Sequence, residues 1–400
     1  IKAAGAPIEF VPTTVGEKTY LKGANSGIDE AAWSILRDQR VLLKGPITTP
    51  QGGGYKSVNV TLRKSLGLFA NIRPCQSWAP WIATRHPDMD VLIVRENEED
   101  TYAVIEHRQT QEVTQCLKLI SRPGCERLIR YGFELAAAQG RHTVHCLTKD
   151  NIMKLTDGLF HRVFDDVAKD YPDIEAKHLI IDIGTALLAD QPERFDVIIA
   201  PNLYGDILSD VAAQLTGSVG LGGSANIGTD FAMFEAVHGS APDIAGQDVA
   251  NPSGLLMAAV AMLKYLNAHP SAERIEKAWR ATMADGLHTA DVFDPAQSTQ
   301  KLGTQAFARA IIDRLGAATP SSTHCLAWPD PKALPLAPRR AQAKTLVGVD
   351  VFIDHDDGER NAQRLGERIE AITQHSGLRL SLITNRGVKV YPNGFPETTC

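Results

Sequence analysis

The sequence has no Cys-x-x-Cys pair and no zinc-finger spacing among its six cysteines, Cys75, Cys116, Cys125, Cys146, Cys325 and Cys400. That argues against a disulfide framework and sets the expectation of free thiols in a reducing cytoplasm. Long apolar runs are missing too. The longest, residues 254–266, is interrupted by Lys264 and is too short to span a bilayer, and nothing reads as a signal peptide. Nor is there a basic surplus: 41 lysines and arginines against 47 aspartates and glutamates leave a net charge of -6. Nucleic acid and anionic membrane are therefore not expected as main partners. Phosphate-loop signatures are absent as well. Tyr55 separates Gly52-Gly53-Gly54 from Lys56, where a P-loop sets lysine directly after glycine. Gly220-Leu221-Gly222-Gly223 lacks the helix and acidic residue of a Rossmann fingerprint. The class left standing is a protein that acts on a small molecule.

What is present is globular: 400 residues, 44% hydrophobic and 22% charged, too long for one compact core. Short β-branched runs at residues 41–43, 91–94, 143–147, 179–183 and 197–201 alternate with helical spacing at 122–139, 154–169 and 255–266. Ile8-Glu9-Phe10 reads as a strand entry. Such alternation predicts an α/β architecture with helices over a largely buried sheet. Prolines crowd residues 317–344, a linker, and beyond it residues 349–353, 359–374, 378–384 and 388–391 outline a small β-α-β-β unit.

Arginines carry the chemistry. Ser57-Val58-Asn59-Val60-Thr61-Leu62-Arg63, Ile72-Arg73-Pro74 and Val94-Arg95-Glu96-Asn97 set guanidinium groups near short polar side chains. A guanidinium fork grips a carboxylate bidentately, so the set predicts a small polycarboxylic acid. Each arginine alone reads more simply as a solvated charge. Asp206 and Asp210 lie four apart at the start of a predicted helix and share a face, and Asp182 ends an apolar run. Three such oxygen donors suit Mg²⁺ or Mn²⁺, although helix capping explains them about as well. The loop from Val237 through His238, Gly239, Ser240, Ala241, Asp243 and Ile244 to Asn251 is small-residue-rich and fits a dinucleotide, or an ordinary connection. Tyr102 and Lys149 stand near these segments; singly, each reads as a packed tyrosine or a surface lysine.

Taken in order, these segments resemble the β-decarboxylating dehydrogenases, the family of isocitrate, 3-isopropylmalate and homoisocitrate dehydrogenases, over about residues 41–315. The resemblance implies that family's α/β fold: residues 1–68 and 221–316 as a large cofactor-binding domain, 69–220 as a small domain for substrate, metal and dimerisation, and a small α+β domain over 345–400. Ser57 and Asn59 ahead of Arg63 look like the isocitrate branch. By that likeness Thr48, Ser57, Asn59, Arg63, Arg73 and Arg95 hold isocitrate, Tyr102 and Lys149 are the acid–base pair, and Asp182, Asp206 and Asp210 bind Mg²⁺ or Mn²⁺. Lys44 and Thr48 match the loop between substrate and nicotinamide, and His238, Gly239, Ser240, Ala241, Asp243, Ile244 and Asn251 match the adenosine loop. Family members share Lys149 and Asp182 between subunits, which implies a homodimer. The family's Gly-Asp-Gly-Ile-Gly-Pro-Glu signature is not found ahead of Ile1, so the expectation is a piece of a longer chain.

Cofactor choice follows from Asp243 and Ile244, which stand where the family's NADP-using isocitrate dehydrogenases carry lysine and tyrosine. Asp243 can accept the free ribose hydroxyls of NAD, and Asp294 stands where a phosphate-binding arginine would be expected, so NAD is the expected cofactor. Isopropylmalate or homoisocitrate dehydrogenase is the alternative substrate reading. A regulatory subunit is the alternative class, against which stands the presence of every catalytic side chain.

Overall fold

The computed structural model describes residues 1–49, 57–316, 327–336, 338, 343–355 and 361–394. The glycine cluster at 52–54, Lys56, the linker stretch 319–322, Cys325 and Cys400 lie outside the described residues. The chain divides into two compact units, Ile1–Ile105 with Leu117–Ala337, and Glu106–Cys116 with Pro338–Cys400.

The first unit begins with α1 (Glu17–Leu21) and α2 (Glu30–Gln39), whose first turn is capped by the Asp29 carboxylate accepting from Ala32 N at 2.8 Å. β1 (Val41–Lys44) and α3 (Val58–Ser65) follow, and then β2 (Ala70–Gln76) and β3 (Asp90–Glu96) run antiparallel side by side. Pro74 sits in β2 where this strand has run past its other neighbour, which pairs only with Ala70 to Ile72, so its missing N–H leaves no ladder bond unmade. Two short strands, β4 (Glu106–Arg108) and β5 (Thr114–Cys116), form a hairpin that belongs to the second unit.

Next come α4 (Arg122–Ala138), β6 (Thr143–Thr148), α5 (Thr156–Ala168), β7 (Glu175–Ile180), α6 (Ile181–Asp190), β8 (Val197–Ala200) and α7 (Asn202–Leu215). β9 (Gly223–Ile227) and β10 (Ala232–Ala236) lead to α8 (Ser253–Tyr265), α9 (His269–Ala284), the short parallel pair β11 (Leu287–His288) and β12 (Gln300–Lys301), and α10 (Thr304–Ile312). Eight strands make one mixed sheet in the order β1-β10-β9-β2-β3-β8-β6-β7. β3, β8 and β6 run parallel in its middle and are buried along nearly their whole length, as strands covered on both faces must be. The α/β expectation holds. α8 is the apolar run that is too short for a membrane; it packs on β9 and β10, and Lys264 within it is held by Glu276 at 2.9 Å. Among the described residues no helix is long and apolar enough to cross a membrane.

In the first unit two expected strands differ. β7 ends at Ile180, and Asp182 lies in the first turn of α6 rather than at a strand end. Gly184 favours this close approach, since a Cβ there would come within 2.6 Å of Leu147 Cδ2 and the leucine would have to shift. Ile8-Glu9-Phe10 forms no strand, because Pro7 and Pro12 bracket it and neither can donate to a ladder.

In the second unit, α11 (Ala362–Thr373) is capped by Asn361 accepting from Arg364 N at 3.0 Å, and β13 (Ile383–Asn385) pairs with β14 (Val388–Tyr391). Residues 349–353 are exposed and irregular, so the first strand of the expected β-α-β-β unit is not formed.

Candidate functional site

β2 and β3 deliver Arg73 and Arg95 to the start of α7, and both guanidinium groups are buried. Arg95 Nε donates to the Asn202 carbonyl and to Asn202 Oδ1, each at 3.0 Å, while its terminal nitrogens reach Asn202 Oδ1 at 2.7 Å and the Asp206 carboxylate. Arg73 donates to Asn71 Oδ1 at 2.7 Å, Ser209 Oγ at 2.6 Å, Asp206 at 3.2 Å and Asp210 at 3.3 Å. Burial, and then the nearby charges of Arg73 and Arg63, bring the Arg95 guanidinium down to about 9. Burial leads that drop and the neighbouring cations add to it, and an anionic ligand beside the guanidinium would oppose both. α7 comes this close because of Gly205, whose Cβ would lie 2.6 Å from Arg95 Cγ.

Tyr102 joins the group from a short 3-10 turn after β3, and its hydroxyl donates to Asp206 Oδ2 at 2.5 Å. Burial, then the Asp206 charge, push the phenol above its ordinary range. Burial raises the Asp206 carboxyl, but Arg95, Arg73 and the Tyr102 hydroxyl outweigh it and hold Asp206 below the usual carboxylate range. For Asp210 burial wins over Arg73, and the carboxyl rises. Arg63, on α3, donates to Glu235 at 3.0 Å, and Glu235 also binds the buried Lys44 at 2.5 Å and Asn226 at 2.8 Å. Lys44, Arg63 and Glu235 thus form a buried group on β1, α3 and β10. Beside this group, Asn59 Oδ1 and Arg63 Nε are among the buried polar atoms that have no hydrogen-bond partner among the described residues. Ser57 caps α3, accepting from Val60 N at 3.4 Å and from Thr49 Oγ1 at 3.2 Å.

Lys149 and Asp182 lie elsewhere in the chain and pair with each other. That lysine holds the exposed Asp182 carboxyl below its ordinary range. Within one chain the three aspartates therefore do not converge. The one group of three His, Cys, Asp or Glu ligand atoms that does converge among the described residues, within 4.8 Å, is Asp150, His161 and His178. Its imidazoles stack at 3.5 Å with 15° between planes, so their in-plane lone pairs run in parallel and cannot meet on one ion without a ring turning.

The His238–Asn251 stretch is a loop with a 3-10 turn over Pro242–Ile244. It meets the Lys44–Thr48 segment through Thr48 Oγ1 and Ser240 Oγ at 2.8 Å. Asn251 is buried and donates to Asp291 at 3.0 Å. Gly239, Ala241 and Asp243 are exposed.

A family model described as isocitrate/isopropylmalate dehydrogenase matches residues 1–311. The chain belongs to this family. A model described as the bacterial isocitrate dehydrogenase C-terminal domain matches residues 344–400. The chain is 50% identical to a Rickettsia bellii protein named isocitrate dehydrogenase (NADP), with 98% of this chain and 81% of that one covered. It is 43% identical to the Thermus thermophilus protein of the same name, over 98% of this chain and 79% of that one. A crystal structure of a protein from Thermus thermophilus superposes with a TM-score of 0.89 at 43% identity, covering 98% and 79% of the two chains. The isocitrate/isopropylmalate dehydrogenase fold is thus shared across the chain.

These relatives correct the expected cofactor. Six of them, 43–50% identical over 98% of this chain, carry NADP in their names, against an NAD-dependent enzyme. The physical reason lies in the loop. Asp243 is exposed and no hydrogen bond among the described residues fixes its carboxylate, so its charge is screened by solvent and does not act as a fixed one. Asp294 is likewise a turn former, accepting from Ala296 N at 2.9 Å.

Among site residues that pattern reading missed are Asn202, Ser209 and Glu235, which aim the arginines. Glu235 had a signal, as a single charge inside the apolar stretch Ala232–Ala236. Asn202 and Ser209 had none beyond their places beside Asp206.

Proposed function

We propose that the protein is an NADP-dependent isocitrate dehydrogenase that converts isocitrate to 2-oxoglutarate and carbon dioxide. The observation that carries this reading is the group formed by the buried Arg73 and Arg95 with the half-buried Asp206 and Tyr102, together with the unpartnered Asn59 Oδ1 and Arg63 Nε on α3. A ligand with several carboxylates and a hydroxyl would satisfy the arginine charges and the open donor together.

Asp206 and Asp210, with Asp182 of a second protomer, would hold a divalent cation. Their donor set is all carboxylate oxygen, which fits Mg²⁺ or Mn²⁺. When bound, the cation polarises the substrate hydroxyl, and NADP accepts the hydride. The chain's own residues do the rest. Arg63, Arg73 and Arg95 bind and orient the carboxylates; Lys149 takes the proton from the 2-hydroxyl as the hydride leaves the same carbon. After the bond to the departing carboxylate breaks, Tyr102 gives a proton to the carbon left behind.

Lys149 and Asp182 share no hydrogen bond with Tyr102, which supports a homodimer in which each protomer lends these two to the other's site. Exposed apolar side chains flank both halves: Ile152 and Leu155 after Lys149, Ile183 after Asp182, Ile207 after Asp206. Cys75, Cys125 and Cys146 are buried free thiols, which accords with a reducing cytoplasm.

Steady-state turnover of isocitrate, 3-isopropylmalate and homoisocitrate with Mg²⁺ and NADP tests the substrate. A higher kcat/KM for either of the other two acids overturns the isocitrate reading. Mixing inactive Lys149→Met and Tyr102→Phe dimers tests the sharing. Subunit exchange should build mixed dimers with one intact site, and no recovered activity would place both residues in one chain's site.

A further inference from the structure

We propose that Lys118 is a positioning residue that ties together the two proton-transfer groups of the reading above, on which this inference rests. Lys118 lies between β5 and α4, with its side chain 13% exposed. Its ammonium is 2.6 Å from Asp157 Oδ1, 3.5 Å from Asp100 Oδ1 and 4.3 Å from the centre of the Tyr204 ring. Both carboxylates are fully buried.

The other bonds of those carboxylates run to the two proton-transfer residues of the same chain, which on that reading serve the sites of different protomers. Asp157 Oδ2 accepts from the backbone N–H of Lys149 at 2.7 Å. Asp100 Oδ1 accepts from Thr101 N at 2.8 Å, the residue before Tyr102, and Asp100 Oδ2 accepts from Leu203 N at 2.9 Å, in the first turn of the helix that carries Asp206. One cation therefore sits between the carboxylate that fixes the Lys149 backbone and the carboxylate that fixes the Tyr102 turn. The contact to Asp157 Oδ1 is an ion contact, since no aligned hydrogen bond reaches that oxygen.

Asp100 also holds a backbone φ of 65, which a residue with a Cβ keeps only where its surroundings hold it there. Part of that hold comes from the segment next to Lys118: Asp100 N donates to Leu119 O at 2.8 Å. Without the cation, two buried carboxylates face each other uncompensated and must move apart or draw in water, and the N–H groups of Thr101 and Lys149 move with them. Proton transfer needs heavy atoms within about 3 Å, and a shift of about 1 Å can lower the rate by about 100-fold. Arg73 and Arg95 bond to neither Lys118 nor these two carboxylates, so substrate binding should change little.

The test uses purified full-length protein carrying Lys118→Met, Lys118→Arg, or Lys118→Met with Asp157→Asn. Lys118→Met should lower kcat by about 10- to 100-fold and leave KM for isocitrate within about threefold. Lys118→Arg should recover most of the loss. The double variant keeps the net charge of the buried group, so it should regain thermal stability but not kcat; it carries the comparison if Lys118→Met does not fold. Wild-type kcat in Lys118→Met, or recovery of kcat together with stability in the double variant, would reduce Lys118 to a counter-charge and overturn the proposal. Tyr102→Phe and Lys149→Met run alongside. If those two keep wild-type kcat, the catalytic reading itself falls; if they are inactive while Lys118→Met is not, only the coupling falls.

Discussion

The arginine cluster and the adenosine loop would both face a charged ligand, yet they hold their polar atoms in opposite ways. Arg73 and Arg95 are buried, and their guanidinium nitrogens bond to Asn202, Ser209, Asp206 and Asp210 on another element and to Asn71, two residues before Arg73 on the same strand. At the adenosine end of the loop the bonds are local and exposed, with His238 bonded to the Gly239 carbonyl and Gln247 to the Asp243 carbonyl, and the long-range ties are few, Ser240 to Thr48 and Asn251 to Asp291 among them. Buried polar atoms must be matched one for one, so residue identity there dictates chemistry. Exposed ones can turn to water, so identity there only biases it.

Breaking the buried half should have the largest effect. Arg95→Met leaves Asp206 and Asn202 short of their main donor, and truncating one side of a buried charge pair costs about 2–5 kcal/mol. A fall in kcat/KM for isocitrate of about 10²- to 10³-fold is expected, and Arg95→Lys should rescue it poorly, because one ammonium cannot reach Asn202 and Asp206 together. A loss under fivefold would remove the cluster from the site.

Gly205→Ala probes the same half without touching a charge. The new Cβ would press within 2.6 Å of Arg95 Cγ, an overpacking that costs about 1–3 kcal/mol. Thermal stability should drop accordingly and kcat/KM for isocitrate should fall about tenfold. Gly239→Ala is the control on the loop, where nothing lies within 4 Å, and its stability should match the parent. Equal stability losses in the two variants would erase the contrast.

Glu96, beside Arg95, carries the contrast into pH. Burial pushes its carboxyl up from 4.5 to about 7 against the amides of Glu98 and Glu99, which donate to it. A carboxyl raised in the folded state binds its proton more tightly folded than unfolded. Its effect is therefore absent well below pH 4.5 and destabilises as pH rises from about 4.5 to 7, by roughly 1–3 kcal/mol. Glu96→Gln keeps an acceptor oxygen and should flatten that part of the Tm profile by a few degrees. An unchanged profile would show that Glu96 stays charged when folded.

How much was readable from the sequence follows the same division. The alternating apolar runs predict most of the central sheet because buried parallel strands have few alternatives, and spacing of four puts Asp206 and Asp210 on the face that meets Arg73. Asp182 reads as a strand end because Leu179 to Ile183 is otherwise apolar, and periodicity cannot separate a short strand from the start of a helix; the contact that favours the helix there, Gly184 on Leu147, is tertiary. Asn202 and Lys118 are silent for the same reason, since the partners that give them meaning, Arg95 for Asn202 and Asp100 and Asp157 for Lys118, are distant in the chain and brought close only by the fold.

The smallest effect is expected at Asp243, and it is the sharpest test of the exposed half. In the sequence its carboxylate reads as a charge that would exclude the extra phosphate of NADP, yet it is solvent-exposed and held by no hydrogen bond among the described residues. At an effective dielectric near that of water, a unit charge at about 6–8 Å from a phosphate is worth roughly 0.5–1 kcal/mol, and less in salt. Asp243→Asn should therefore raise kcat/KM for NADP by about two- to fivefold at low ionic strength, and the gain should shrink at about 0.5 M salt. Isocitrate KM, set by the buried arginines, should stay where it was. A gain of a hundredfold would mean that Asp243 is a fixed, desolvated charge in the complex, and the loop would then belong with the arginine cluster rather than opposite it.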